Sequence, residues 1–197
     1  MIIKNALLLF GNANEYVHHR GEKMHTIEDF PKPLLGFAAY SGVGKTTLLE
    51  KLIPILVEQG LRVALIKHSH HDIDLDKPGK DSYRLRKAGA TQVVLAGTQR
   101  SILFSEYAQK HDSKLSEQLA LLQTDTLDLV LVEGFRDQPF SKIELHRSDL
   151  AKPFLFTSDA SIIAVACDGQ VPNCRLPLLD LNNVEMLAQF VCQFVHS

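Results

Sequence analysis

The chain contains no tryptophan, only three cysteines, and no excess of either charge: 21 lysines and arginines stand against 23 aspartates and glutamates. Without a basic excess or a basic run, nothing favours a nucleic-acid or anionic-membrane partner. Cys167, Cys174 and Cys192 are odd in number and never form C-x-x-C, which argues against a disulfide framework or a zinc knuckle and suits a reducing compartment. Long apolar runs are scarce too. The N-terminal "ALLLF" faintly resembles a signal peptide but is too short to span a bilayer, and no small-residue cleavage site follows it cleanly. Export is not expected, and a cytoplasmic location is. No internal repeat or low-complexity tract appears.

What is present is enough for one α/β domain with a full core: 197 residues, 45% of them hydrophobic. Residues 1–33 stay outside the periodic pattern that follows, and "EDFPKP" reads as a stiff, extended linker because each proline restricts itself and its predecessor. They are expected to be a flexible extension or the product of a mis-assigned start. Arg20-Gly21-Glu22-Lys23 can be encoded by a purine-rich, ribosome-binding stretch, so Met24 is the expected natural start. The domain proper is placed at residues 34–197.

From Leu34 onward, short apolar runs alternate with helical patterns, the sequence form of a layered α/β fold with a largely parallel sheet flanked by helices. A strand is expected at Leu34 to Ala39 and a helix from Lys45 to about Gln59, with Pro54 inside it as a place for a kink and Gly60 as its cap. "RVALIKH" reads as a strand buried on both faces. A helix from Ser82 to Ala88 precedes "TQVVLAG" and "RSILFSE", two strands joined by a short turn. Another helix is expected around Lys114 to Leu122, followed by strands in "LDLVLVEGF", "SKIELHR" and "SIIAVACD". After "LPLLDL" a last helix runs from Asn183 to Phe194, with Asn182 and Glu185 spaced as a capping box.

Chemistry concentrates in "FAAYSGVGKTTLLEKL", a near match to the phosphate-binding pattern G-x-x-x-x-G-K-S/T with Ala39 at the first position. Such a loop must curl its backbone N–H groups around phosphate oxygens, which needs small residues tolerant of unusual dihedrals. Gly42 and Gly44 provide them. Lys45 brings charge to the β- and γ-phosphates, Thr46 offers a hydroxyl to Mg²⁺, and the helix N-terminus adds its dipole. Ala39 keeps the small volume and forgoes only the freedom to take positive φ. Phosphoryl chemistry also needs an acid near the metal, commonly at the tip of a neighbouring buried strand, and "LDLVLVEGF" offers Glu133 there. Gly134 would allow close backbone approach to the γ-phosphate.

The segment "KHSHHDIDLDKPGKDSYRLRKAGA" follows the second strand, where open α/β folds place their ligands. His68, His70, His71, Asp72, Asp74 and Asp76 can supply metal ligands, though alternating spacing on a loop fixes no tetrahedral geometry. Lys77, Lys80 and Arg84 can grip an anion, and Asp81 serves equally well as a helix start.

These stretches together closely resemble the molybdopterin-guanine dinucleotide biosynthesis adapter proteins, the MobB family, from about Leu34 to the last helix. The H-x-H-H-D-x-D-x-D-K-P-G-K-D-S segment makes the resemblance specific. It implies a three-layer P-loop NTPase fold of the class shared with signal-recognition and metal-insertion GTPases. It also implies a homodimer, GTP and Mg²⁺ as ligands with slow hydrolysis, and partnership with a MobA-like molybdenum cofactor guanylyltransferase, with molybdopterin a further candidate ligand. Phosphate contacts would fall on Gly42, Val43, Gly44, Lys45, Thr46 and Thr47, the metal near Thr46 and Glu133, and catalysis on Lys45 and Glu133. Asp168 stands where related GTPases read guanine, although "CDG" differs from N-K-x-D. Tyr40 replaces the lysine of the ATP-sandwich dimer class. Two other functions share the same fold: a metallochaperone GTPase using His68, His70 and His71, and a small-molecule kinase or ligase. "LAGTQRS" mimics the opening of a nucleotidyltransferase loop but lacks its second glycine.

Overall fold

The computed structural model describes residues 26–69, 73 and 75–197. Met24, His70, His71, Asp72 and Asp74 lie outside the described residues. In chain order the elements are β1 (Leu34–Ala38), α1 (Lys45–Glu58), β2 (Val63–Lys67), α2 (Asp81–Lys87), β3 (Gln92–Ala96), β4 (Ser101–Ser105), α3 (Leu115–Leu119), β5 (Leu129–Glu133), β6 (Lys142–His146), β7 (Ile162–Cys167), β8 (Leu178–Asp180) and α4 (Val184–His196). They form two compact units, one holding the described residues up to His68 together with Lys114–Ser197, the other Ser69–Ser113.

The larger unit is built on a six-stranded sheet of order β2-β5-β1-β6-β7-β8, parallel throughout. Its central strands carry apolar side chains in unbroken runs because both faces are covered. Leu35, Phe37, Leu129 and Leu131 point to one face, where Leu48, Leu52 and Leu56 of α1 and Leu187 and Val191 of α4 close over them. Val130 and Val132 point to the other face and meet Phe30 with Leu115 and Leu119 of α3. A third cluster joins Val165 and Cys167 to Phe154 and Phe156. The expected helix-sheet-helix layering is thus present, and burial of Phe30 fastens the chain to the sheet ahead of Leu34.

Several local expectations are corrected. Among the described residues β2 is an edge strand, bonded to β5 alone, and Leu65 remains 42% exposed, so "RVALIKH" is not covered on both faces. The last helix is capped by Asn183, whose side chain accepts from the Met186 N–H, rather than by Asn182, whose N–H instead donates to Asp180. α3 closes after five residues: the Leu121 and Leu122 N–H groups reach back three positions, to the carbonyls of Gln118 and Leu119, and tighten the turn. α1 runs through Pro54 without a break and ends as the sequence suggests. Gly60 takes φ of 88°, its N–H donates to Val57 O, and the Leu61 N–H donates to Leu56 O, a Schellman pair whose two leucines join the core.

The smaller unit is the antiparallel β3–β4 hairpin preceded by α2. Its anchor is Arg86, a nearly buried guanidinium 4.6 Å from the Phe104 ring centre, paired with Glu106 and Asp76. Ser82 donates to Asp76 at 3.0 Å, so this carboxylate orders the start of α2.

Candidate nucleotide site

Parallel register decides what meets at the end of the sheet. β2, β5 and β1 lie side by side, and Glu133 is flanked by Lys67 on one neighbour and Phe37 on the other. The chain leaves β1 through residues 39–44 and enters α1. Gly42 and Gly44 take φ of 86° and 96°, yet a Cβ at either would meet nothing within 4 Å. Dihedral freedom, not space, requires glycine there. Ala39 is absent from the positive-φ positions, so its methyl group costs the loop nothing.

α1 starts without a side-chain cap and without an acid in its first turn. Its first N–H groups and dipole are therefore left for an anion. Lys45, Thr46 and Thr47 occupy that turn. The Thr46 hydroxyl donates to Glu133 Oε1 at 3.4 Å, and Lys67 Nζ lies 3.4 Å from Thr46 Oγ1 and 3.2 Å from Glu133 Oε2. A hydroxyl and a carboxylate are hard oxygen donors suited to Mg²⁺, which takes few protein ligands and keeps phosphate oxygens and water for the rest. The pair already holds a cation, the Lys67 ammonium, so the residues present fit the metal. No group of three or more His, Cys, Asp or Glu side chains able to hold a metal occurs among the described residues.

On the other side of the loop lies a cavity of about 390 Å³, lined among others by Gly42, Gly44, Thr47, Arg147 and Asn182. Arg147 organises it. Its Nε donates to the Val43 carbonyl at 3.1 Å, and its Nη1 donates to Asp168 at 3.0 Å and to Asn182 Oδ1 at 3.4 Å. The other Asp168 oxygen accepts from the Ser148 N–H at 2.9 Å. That backbone bond, with help from Arg147, holds the Asp168 carboxyl below the usual range against the opposing effect of burial. Both Asp168 oxygens thus already accept from the protein, each retaining a further lone pair.

Gly134 is also required by a close approach within the protein. A Cβ there would sit 2.5 Å from the Cβ of His68, and the His68 ring stacks on Phe135 at 4.4 Å. His68 is therefore packed at the strand end, and Asp76 is engaged by Arg86 and Ser82 in the smaller unit. Asp81 is the first residue of α2 and pairs with Arg84 at 3.7 Å. Two functional candidates escaped sequence reasoning. Lys67 closes the second strand, but only strand register reveals that it stands beside Glu133; Arg147 follows "SKIELH" with no motif around it.

A parallel sheet whose first strand turns through a glycine-rich loop into a helix opening with Lys-Thr-Thr is the architecture of P-loop NTPase-like α/β proteins. Residues 34–168 match the family described as MobB, molybdopterin guanine dinucleotide synthesis protein B. The chain is 50% identical over 166 residues to the molybdopterin-guanine dinucleotide biosynthesis adapter protein of Escherichia coli K12, covering 84% of this chain and 94% of that protein. It is 45% identical over 165 residues to the Haemophilus influenzae protein of the same name, covering 83% and 90%. Among solved structures, one of molybdopterin-guanine biosynthesis protein B superposes with a TM-score of 0.63 at 27% identity, over 81% of this chain and 98% of the other. A MobB homologue from Bacillus stearothermophilus gives 0.62 at 26%, over 83% and 97%. The chain belongs to the MobB family.

Proposed function

We propose that this chain is a GTP-binding adapter with slow, Mg²⁺-dependent GTPase activity that assists a MobA-like guanylyltransferase in converting molybdopterin to molybdopterin guanine dinucleotide. The observation that carries the proposal is the Gly42–Gly44 loop leading into an uncapped α1, with Thr46 and Glu133 converging 3.4 Å apart beside it, in a member of this family. Residues 34–197 serve as the GTP-binding domain. Lys45 and the N–H groups of Gly42 to Thr47 hold the phosphates, Thr46 and Glu133 hold Mg²⁺, and the cavity beside Arg147 is large enough to admit a base. Mg²⁺, when bound, neutralises charge on the β- and γ-phosphates. Asp168 reads guanine with its remaining lone pairs, fixed in place by Arg147 and Ser148.

A second copy of the chain is the proposed partner of the hairpin, where Val94 and Leu103 form a cross-strand pair and stay exposed. The cytoplasm is the proposed location; among the described residues no helix is long and apolar enough to cross a membrane. Metal delivery through the histidine loop would depend on His70 and His71, which lie outside the described residues. Calorimetric titration tests the nucleotide assignment: GTP should bind in Mg²⁺ with clear preference over ATP, and capture of the purified guanylyltransferase should follow. Equal affinity for the two nucleotides would remove Asp168 from the base-reading role.

A further inference from the structure

The pair formed by Thr46 and Glu133 holds a cation of the protein's own, the ammonium of Lys67. Lys67 ends edge strand β2, in register with Glu133, and its side chain is 53% exposed. A half-exposed ion pair of this kind adds little to stability, so its placement calls for another reason. The ammonium lies between Thr46 Oγ1 and Glu133 Oε2, where a divalent ion bound to the same two side chains would stand a few ångströms from it, and two cations at that range repel. When the metal site fills, Lys67 must swing aside. Its flexible four-carbon stem lets the charge travel, and the anion nearest to that metal is the terminal phosphate the metal neutralises.

We propose that Lys67 is a specificity-determining residue that reads the terminal phosphate, holding Glu133 and Thr46 in place without nucleotide and moving onto the γ-phosphate of a bound triphosphate. A diphosphate with its metal displaces the lysine equally but gives it no γ-phosphate to grip, and the ammonium turns to solvent. This inference rests on the Thr46–Glu133 metal assignment made above.

The experiment titrates the full chain with GTP and with GDP, in Mg²⁺ and in EDTA, for wild type, Lys67→Met and Lys67→Arg, with Glu133→Gln as the control for the metal. Lys67→Met keeps the stem and removes the charge. It should weaken GTP binding in Mg²⁺ about tenfold and leave GDP binding within about twofold, with Lys67→Arg recovering part of the loss. A GTP-to-GDP affinity ratio unchanged in Lys67→Met, while the wild type still loses affinity in EDTA, overturns this inference alone. Wild-type binding of GTP that is indifferent both to EDTA and to Glu133→Gln overturns the metal assignment, and the inference falls with it. Because Lys67 is exposed, thermal melts of both variants should match the wild type, separating a binding defect from a folding one.

Discussion

The sheet of the larger unit and the hairpin of the smaller one are written in the same alphabet and meet opposite fates. Leu129, Val130, Leu131 and Val132 in β5 are fully buried, whereas Val94 in β3 and Leu103 in β4 are 63% and 45% exposed. The apolar run that specifies a strand says nothing of what will cover it. In β5 the cover is supplied by α1, α4 and α3 of the same unit. In the hairpin the pair stays uncovered among the described residues, which is why a second copy of the chain is proposed to dock there.

That contrast can be broken most forcefully in the sheet. Leu131→Ala should cost about 3 to 5 kcal/mol of folding stability in urea denaturation, because it leaves a cavity between two packed layers. Leu103→Ala should cost under about 0.5 kcal/mol at dilute, monomeric concentrations. Equal losses would mean the two regions do not differ as described. Next in size, converting the Val94 and Leu103 pair to lysines should weaken association by about 2 to 4 kcal/mol, from the apolar area lost. Sedimentation velocity should find the wild type as the proposed dimer and the double variant as a monomer; a dimer surviving both lysines moves the interface elsewhere.

Within the larger unit, Lys45→Ala should reduce GTP affinity by about 1.5 to 3 kcal/mol, roughly 13- to 160-fold, through lost charge-assisted contacts. Removing Arg147 should have a smaller effect, about 1 kcal/mol, since it frees the Val43 carbonyl and Asp168 without touching the phosphates. Smallest is the pH response of that link. The folded Asp168 carboxyl is held below its ordinary value, so its contribution is complete above the unfolded pKa of about 3.9 and is lost only as pH falls through the lower folded value. Folding stability in urea should therefore stay flat from pH 8 to 5 and decline below about 4, and Arg147→Ala should reduce that decline without removing it, because the Ser148 N–H still holds the carboxylate.

Much of this arrangement was legible before any coordinates. Strand-loop-helix punctuation around "GVGKTT" places the glycine loop between β1 and α1, and Glu133 at the end of an apolar run lands 3.4 Å from Thr46. Gly60 caps α1 because a C-terminal glycine carries its own mechanism. What stayed hidden depends on strand order and register, which no local pattern encodes. "RVALIKH" is apolar enough for a central strand yet lies at the edge, and Lys67 acquires its place beside Glu133 only through pairing of β2 with β5. Arg147 is similarly silent in the sequence, because its partners Val43, Asp168 and Asn182 come from three distant segments. Asn182 and Asn183 show the limit in miniature: adjacent identical residues divide the work, one capping α4 and the other accepting from Arg147.

The central claim is that the nucleotide bound at Lys45 serves a partner's reaction. Guanylylation of molybdopterin by the purified guanylyltransferase, measured with GTP in the absence and presence of this chain and of its Lys45→Ala variant, tests it most directly. The account predicts that the wild-type chain raises product formation and that Lys45→Ala, folded and still able to bind the transferase, does not. Equal stimulation by the two chains would contradict it.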